Sequence, residues 1–210
     1  MTLPTGIRLA WREVPAGAAR RDVSRALLAE LLPGARFRSR CPACGGDHGR
    51  IHVEGAAAAV SVSYVEGWAV AVAAQGLERV GLDAVPTDAG GLERVLPRPA
   101  PPGPDDLESP APEAWADAGG SSAAPARTWA RVEAVLKADG RGLTVDARRV
   151  DVQGNGGTWV ARILSSAPRG RPRANEGDPA EGLPREWRGW DLDGPTNVVL
   201  AVAVESASGL

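Results

Sequence analysis

Along this chain the apolar positions change period several times, and each change predicts an element. Residues 22–32 place Val23, Ala26, Leu27 and Leu31 on one helical stripe, which Pro33-Gly34 stops. Shorter β-type runs then predict strands over 36–40, 51–54, 58–64, 68–74 and 79–85. Residues 58–64 alternate small and apolar side chains as a half-buried strand does, and Glu66-Gly67 joins two of the strands as a hairpin. Between 86 and 127 the pattern is lost, because Pro97, Pro99, Pro101, Pro102, Pro104, Pro110, Pro112 and Pro125 break any long element. Short helical turns are expected there only at 92–96 and 113–118, and the stretch reads as a passive tether rather than a recognition motif. Order returns with a helix over 128–139, with Thr128 as its cap and Gly140 ending it in a left-handed turn. Strands over 148–152 and 158–164 flank a Gly154-Asn155-Gly156-Gly157 turn. An Arg/Pro/Gly-rich surface loop over 169–186 and two closing strands, 187–192 and 197–204, complete the reading.

These elements predict an α+β fold of two halves, each a helix on a small antiparallel sheet. The expected units are residues 1–85, a Pro/Gly/Ala-rich linker over 86–127, and residues 128–210, with no alignable sequence repeat between the halves. The 210 residues are 43% hydrophobic, enough for a core, although only nine side chains are aromatic and seven of those are Trp. A formal charge of −2 argues against a general nucleic-acid binder. No apolar run approaches the ~18 residues that span a bilayer, and residues 1–11 lack an apolar core of signal-peptide type. The expectation is a cytoplasmic protein with no membrane association.

Lys137 is the only lysine among 24 basic residues. An ammonium is a compact charge that can give up its proton, whereas a guanidinium effectively cannot. Glu133 lies one helical turn before it, so both share a face; a solvated ion pair between them is the plainer reading. Asp83 stands in the apolar run Gly81-Leu82-Asp83-Ala84-Val85, where a buried carboxylate needs a cation or hydrogen-bond donors. A divalent metal would satisfy it, as would an arginine, and Asp83 with Glu133 could hold Mg²⁺. Ser63, at the end of a strand, is either a phosphate donor or a solvent-facing serine. The series Cys41-x2-Cys44-x3-His48-x3-His52 offers zinc-type ligands, but the Cys and His pairs lie closer together than in zinc fingers. The alternative is a glycine-rich loop, residues 44–50, that approaches a ligand closely and offers it Arg50. Two cysteines so close together do not make a disulfide framework.

In order and spacing these pieces resemble the Sfp-type 4′-phosphopantetheinyl transferases. The resemblance runs from about residue 35 to 204. It rests on a Cys-Pro-x-Cys-Gly-x-x-His-Gly-Lys/Arg loop (here 41–50), a strand ending Ser63-Tyr64, the Gly81–Val85 run, a Trp-x-x-Lys-Glu-type helix motif (here 129–143), and the strands of 191–204. It implies two structurally similar halves related by a pseudo-twofold, with coenzyme A bound between them. It also implies Mg²⁺-dependent transfer of the phosphopantetheine arm of coenzyme A to a serine of an acyl or peptidyl carrier protein, releasing adenosine 3′,5′-bisphosphate. Such an enzyme, a holo-acyl-carrier-protein synthase, serves fatty acid, polyketide or nonribosomal peptide assembly. Residue by residue, Asp83 and Glu133 match the metal ligands, and Glu133 or a water it orients would take the serine proton. Lys137 matches the lysine facing the reacting phosphate. Arg50 and His48 match the His-Gly-Lys/Arg element near the coenzyme A phosphates, and Ser63-Tyr64 match the pair beside them.

Three positions depart from the family pattern. Val85 replaces a second acid, Tyr64 replaces a histidine, and Val132 replaces the lysine before Glu133. Arg131 is adjacent, but one residue turns a helical side chain by ~100°, so it is no obvious substitute. An inactive relative therefore remains an alternative, as does a non-catalytic module binding zinc through Cys41, Cys44, His48 and His52. The expected partners are coenzyme A and an acidic carrier, and a monomer follows if the two halves already form one cleft.

Overall fold

The computed structural model describes residues 3–41, 44–96, 123–154, 156–164 and 185–206. It is a mixed α+β structure with more strand than helix. Strands β1 (Ile7–Glu13), β4 (Ala58–Val65) and β5 (Trp68–Gln75) form a three-stranded antiparallel sheet in the order β1-β5-β4. Helix α1 (Arg20–Leu31) covers it, and β2 (Arg36–Ser39) pairs with β3 (Ile51–Glu54) in a separate ribbon. The second sheet has the order β6-β10-β9-β8-β7, from β6 (Val80–Pro86), β7 (Val150–Gln153), β8 (Thr158–Ile163), β9 (Glu186–Leu192) and β10 (Val198–Glu205). Helix α2 (Ala123–Asp139) lies on β6 and β10. β6 precedes the long 86–127 stretch in sequence, yet it pairs along its length with β10, Asp83 opposite Ala201.

The alternation in β5 and β10 explains the layering. In β5, Val70, Val72 and Ala74 face a core shared by the two sheets, while Ala69, Ala71 and Ala73 face α1. In β10, Val198, Leu200, Val202 and Val204 join the shared core, while Val199, Ala201 and Ala203 face α2. Large side chains thus fill the space between the sheets, and small ones let each helix approach its sheet closely.

β6 follows the same rule. Val80, Leu82 and Ala84 enter the shared core, leaving Gly81, Asp83 and Val85 toward α2. Gly81 is required by proximity: a Cβ there would lie 1.9 Å from the Ala134 carbonyl oxygen and 2.5 Å from the Ala138 nitrogen. The backbone of α2 therefore rests directly on β6, and this contact brings the helix side chains to Asp83.

Where β6 meets β4 there is no regular ladder. Instead Ser61 Oγ accepts the Leu82 N–H at 3.1 Å and Ser63 Oγ accepts the Ala84 N–H at 3.3 Å. Both serines are buried, and their hydroxyls satisfy edge amides that would otherwise be stranded.

Several sequence expectations are corrected. Helix α2 starts at Ala123, not 128, because Pro125 sits in its first turn, where the missing N–H has no intrahelical acceptor to lose. Thr128 is consequently inside the helix, its hydroxyl donating back to the Ala124 carbonyl at 3.1 Å instead of capping. Gly140 ends the helix at φ +89° as expected. Strand β1 was not anticipated. The turn at 92–96 is a 3₁₀ turn over Leu92–Arg94, and the one expected at 113–118 lies outside the described residues, as does most of the 86–127 and 169–186 stretches.

Candidate active site

Helix α2 delivers Glu133 and Lys137 from one face, and β6 delivers Asp83 opposite them. Lys137 does not pair within its helix. It reaches across to β6, donating to Asp83 Oδ1 at 2.7 Å, to the Leu82 carbonyl at 2.9 Å and to Ser63 Oγ at 3.2 Å. Three acceptors match the three protons of one ammonium. Asp83 thereby finds the cation that its burial requires, in a lysine rather than an arginine. Ser63 donates its own proton to Asp83 Oδ1 at 3.0 Å, so it is neither solvent-facing nor, in this arrangement, a donor to anything else.

Glu133 completes the group. Burial pushes its carboxyl above the ordinary value of 4.5, the nearby Asp83 charge pushes it further, and Lys137 partly opposes both. Two acids facing one ammonium leave surplus negative charge when both are ionised. Hard oxygen donors in such surplus suit a small divalent cation such as Mg²⁺, which takes few protein carboxylates and completes its shell with water or phosphate.

These residues line a cleft of about 550 Å³ together with Tyr64, Val65, Glu66, Val85 and Trp129. A second cavity of about 260 Å³ lies beside it, walled by Arg50, Ser61, Gly140 and Gly142. Lys137 lines both. Arg50 donates to the Glu78 carbonyl at 2.6 Å, and burial with the neighbouring Arg79 charge lowers its affinity for its proton.

The structure thus brings Asp83, Glu133, Lys137, Ser63 and Tyr64 to one cleft and sets Arg50 in the adjoining cavity. His48 lines neither cavity; it sits with Cys44, Nε2 to Sγ 2.9 Å. His52 stands apart on β3, exposed and opposite Arg38, so the four-ligand cluster does not form as spaced. Cys41, Cys44 and His48 do come together, their ligand atoms within 4.8 Å of one another.

Two of the three positions singled out in the sequence, Tyr64 and Val132, are accounted for by their surroundings. Tyr64 turns its hydroxyl to Ser24 Oγ at 2.8 Å and its ring beneath the Arg20 guanidinium. Val132 is fully buried in the core under α2. Arg131 points away from the cleft, forking onto Asp191 (Nε to Oδ1 3.0 Å, Nη2 to Oδ2 2.7 Å) and donating to the carbonyls of Gly154 and Gly156. Trp159 Nε1 donates to the same carboxylate at 3.0 Å. This satisfied network ties α2 to β9 and the β7–β8 turn, and it fixes Arg131 as a scaffold residue. Sequence reasoning missed it, and missed Ser61; the only signal was a polar residue in an otherwise apolar stripe.

Among the described residues no helix is long and apolar enough to cross a membrane. No protein-family model matches the chain, and no curated protein matches it.

Proposed function

We propose that this chain is a 4′-phosphopantetheinyl transferase that moves the phosphopantetheine arm of coenzyme A to a serine of an acyl or peptidyl carrier protein. The observation that carries the reading is the meeting of Asp83, Glu133 and Lys137 at one cleft, the last two supplied from α2 and Lys137 lying 54 residues beyond the acid it pairs with. Two cavities that share Lys137 suit an elongated donor whose diphosphate lies at that lysine.

On this reading α1 with the β1-β5-β4 sheet and α2 with β6 and β10 are the two similar halves. The seam between them is the donor site, residues 86–127 join β6 to α2 within the second half, and a monomer is sufficient. Asp83 and Glu133 would hold Mg²⁺, which supplies Lewis-acid neutralisation of diphosphate charge when bound. Glu133, with its raised proton affinity, takes the proton of the carrier serine as the hydroxyl oxygen bonds to the β-phosphorus. The bond from that phosphorus to the leaving phosphate breaks, and adenosine 3′,5′-bisphosphate departs. Lys137 exchanges the Leu82 carbonyl for a leaving phosphate oxygen and stabilises its charge. Ser63 holds Asp83 in place, and Arg50 offers its cation to phosphates in the second cavity. An acidic carrier would be steered by arginines such as Arg20 at the rim.

The test is loading of an apo carrier with coenzyme A and Mg²⁺, read as a mass gain of one phosphopantetheine arm. Lys137→Ala should lower turnover by roughly 10²–10⁴-fold. Absence of any mass gain across acyl and peptidyl carriers, or a Lys137→Ala variant keeping more than half of wild-type turnover, would refute the assignment.

A further inference from the structure

We infer that Cys41, Cys44 and His48 form a zinc site with three protein ligands, separate from the cleft and chemically unlike it. The three ligand atoms lie within 4.8 Å of one another, and Cys44 Sγ to His48 Nε2 is 2.9 Å. Two sulfurs and an imidazole nitrogen are soft to borderline donors, which select zinc over the hard cation suited to Asp83 and Glu133. The backbone presents them as a turn: the Gly45 N–H donates to the Cys41 carbonyl at 2.8 Å, and the Cys41 N–H donates to the Gly46 carbonyl at 2.8 Å. The Gly46 N–H also donates to Cys44 Sγ at 3.4 Å, holding that sulfur within the turn.

The site has a physical reason to exist. Residues 44–50, which lead back into β3, carry no large apolar side chain, so this part of the loop cannot anchor itself by packing. Its Asp47 pairs with Arg21 of α1, which ties only its middle. A metal joining Cys41, Cys44 and His48 would close the loop immediately before Gly49 and Arg50, two residues that wall the smaller cavity. His52 is excluded by the alternation of β3, whose Ile51 and Val53 turn inward while His52 and Glu54 are exposed. The fourth coordination position is left to water.

The reduced full-length chain, without coenzyme A or carrier, should bind one Zn²⁺ in competition with a chromophoric chelator. Cys44→Ser and His48→Ala should each weaken binding by about tenfold or more, since even outer partners of a metal site cost that much. His52→Ala should bind within about twofold of wild type, because the structure places it outside the ligand set. Co²⁺ in place of Zn²⁺ should give a thiolate charge-transfer absorption that Cys44→Ser reduces, and zinc should raise the wild-type melting temperature. Failure to bind zinc, a His52→Ala loss equal to that of His48→Ala, or a Cys41–Cys44 disulfide that forms despite zinc would overturn the site. Carrier loading does not enter these readouts, so a failure here and a failure of the transferase reading are told apart.

Discussion

Removing the Lys137 ammonium while keeping its stem, as in Lys137→Met, should destabilise the fold measurably even in the absence of substrate. The Asp83 side chain is 10% exposed and that of Lys137 is 30% exposed. The variant leaves Asp83 with the Ser63 hydroxyl and leaves the Leu82 carbonyl without its lysine donor. Breaking a fully buried pair costs about 3–5 kcal/mol, and the water that reaches Lys137 reduces this to about 2–3 kcal/mol. Methionine retains the apolar stem, so little of the loss comes from packing. Adding Asp83→Asn removes the stranded charge, and the double variant should recover about 1–2 kcal/mol relative to the sum of the singles. Urea unfolding followed by fluorescence reads this directly, since the chain carries seven tryptophans. A Lys137→Met cost below about 0.5 kcal/mol, with the two substitutions strictly additive, would show that the cluster is not the buried pair described.

Two further outcomes follow from the same seam. Gly81→Ala should cost more than the ~1–3 kcal/mol of ordinary overpacking, because the new methyl meets helix backbone rather than a movable side chain. Gly90→Ala, with open space around its Cβ, should stay within about 0.5 kcal/mol of wild type; equal denaturation midpoints for the two variants would contradict the close approach of α2 to β6. Glu133 binds its proton more tightly folded than unfolded, so its ionised form opposes folding above the folded pKa, and this penalty fades as pH falls toward 4.5. Glu133→Gln should therefore melt higher than wild type at about pH 8 and lose that advantage near pH 5. A gain of the same size at both, or none at the higher pH, would show that the raised proton affinity is absent.

The legible parts of the fold were those with strong local signals. Pro33-Gly34 after an apolar stripe and Glu66-Gly67 between alternating runs placed α1 and the β4–β5 hairpin within a residue or two. Pro125 misled because proline breaks a helix everywhere except its first turn, and composition does not say which turn a residue occupies. Strand β1 went unseen because it is an edge strand with few buried residues, so Ile7 and Leu9 give a weak alternation among exposed side chains. The union of β6 with β10 has no local signature, since it joins segments separated by the whole 86–127 stretch. At the site, residue types marked Asp83, Glu133 and Lys137 because each is chemically odd in its surroundings. Which of them pair depends on α2 lying against Gly81, and no spacing rule contains that.

The seam itself shows why Lys137 holds two positions at once. In an extended strand the N–H and C=O of one residue leave on the same side, so Leu82 presents both to β4. Ser61 accepts the amide and Lys137 donates to the carbonyl, and Ser63 does for the Ala84 amide what Ser61 does for that of Leu82. Side chains thus complete an edge that a further backbone ladder would otherwise have sealed. A sealed edge would give Asp83 no cleft to face; an unpaired one would bury bare amides at a cost of about 1–3 kcal/mol each. The hydroxyl and ammonium bridges avoid both outcomes, and they leave in place one contact, Lys137 to the Leu82 carbonyl, that an incoming anion can replace without stranding a charge. Stability and chemistry then draw on the same three hydrogen bonds. A phosphate bound at Lys137, as the proposed function requires, should accordingly weaken the β4–β6 seam at Leu82 while it strengthens the cleft.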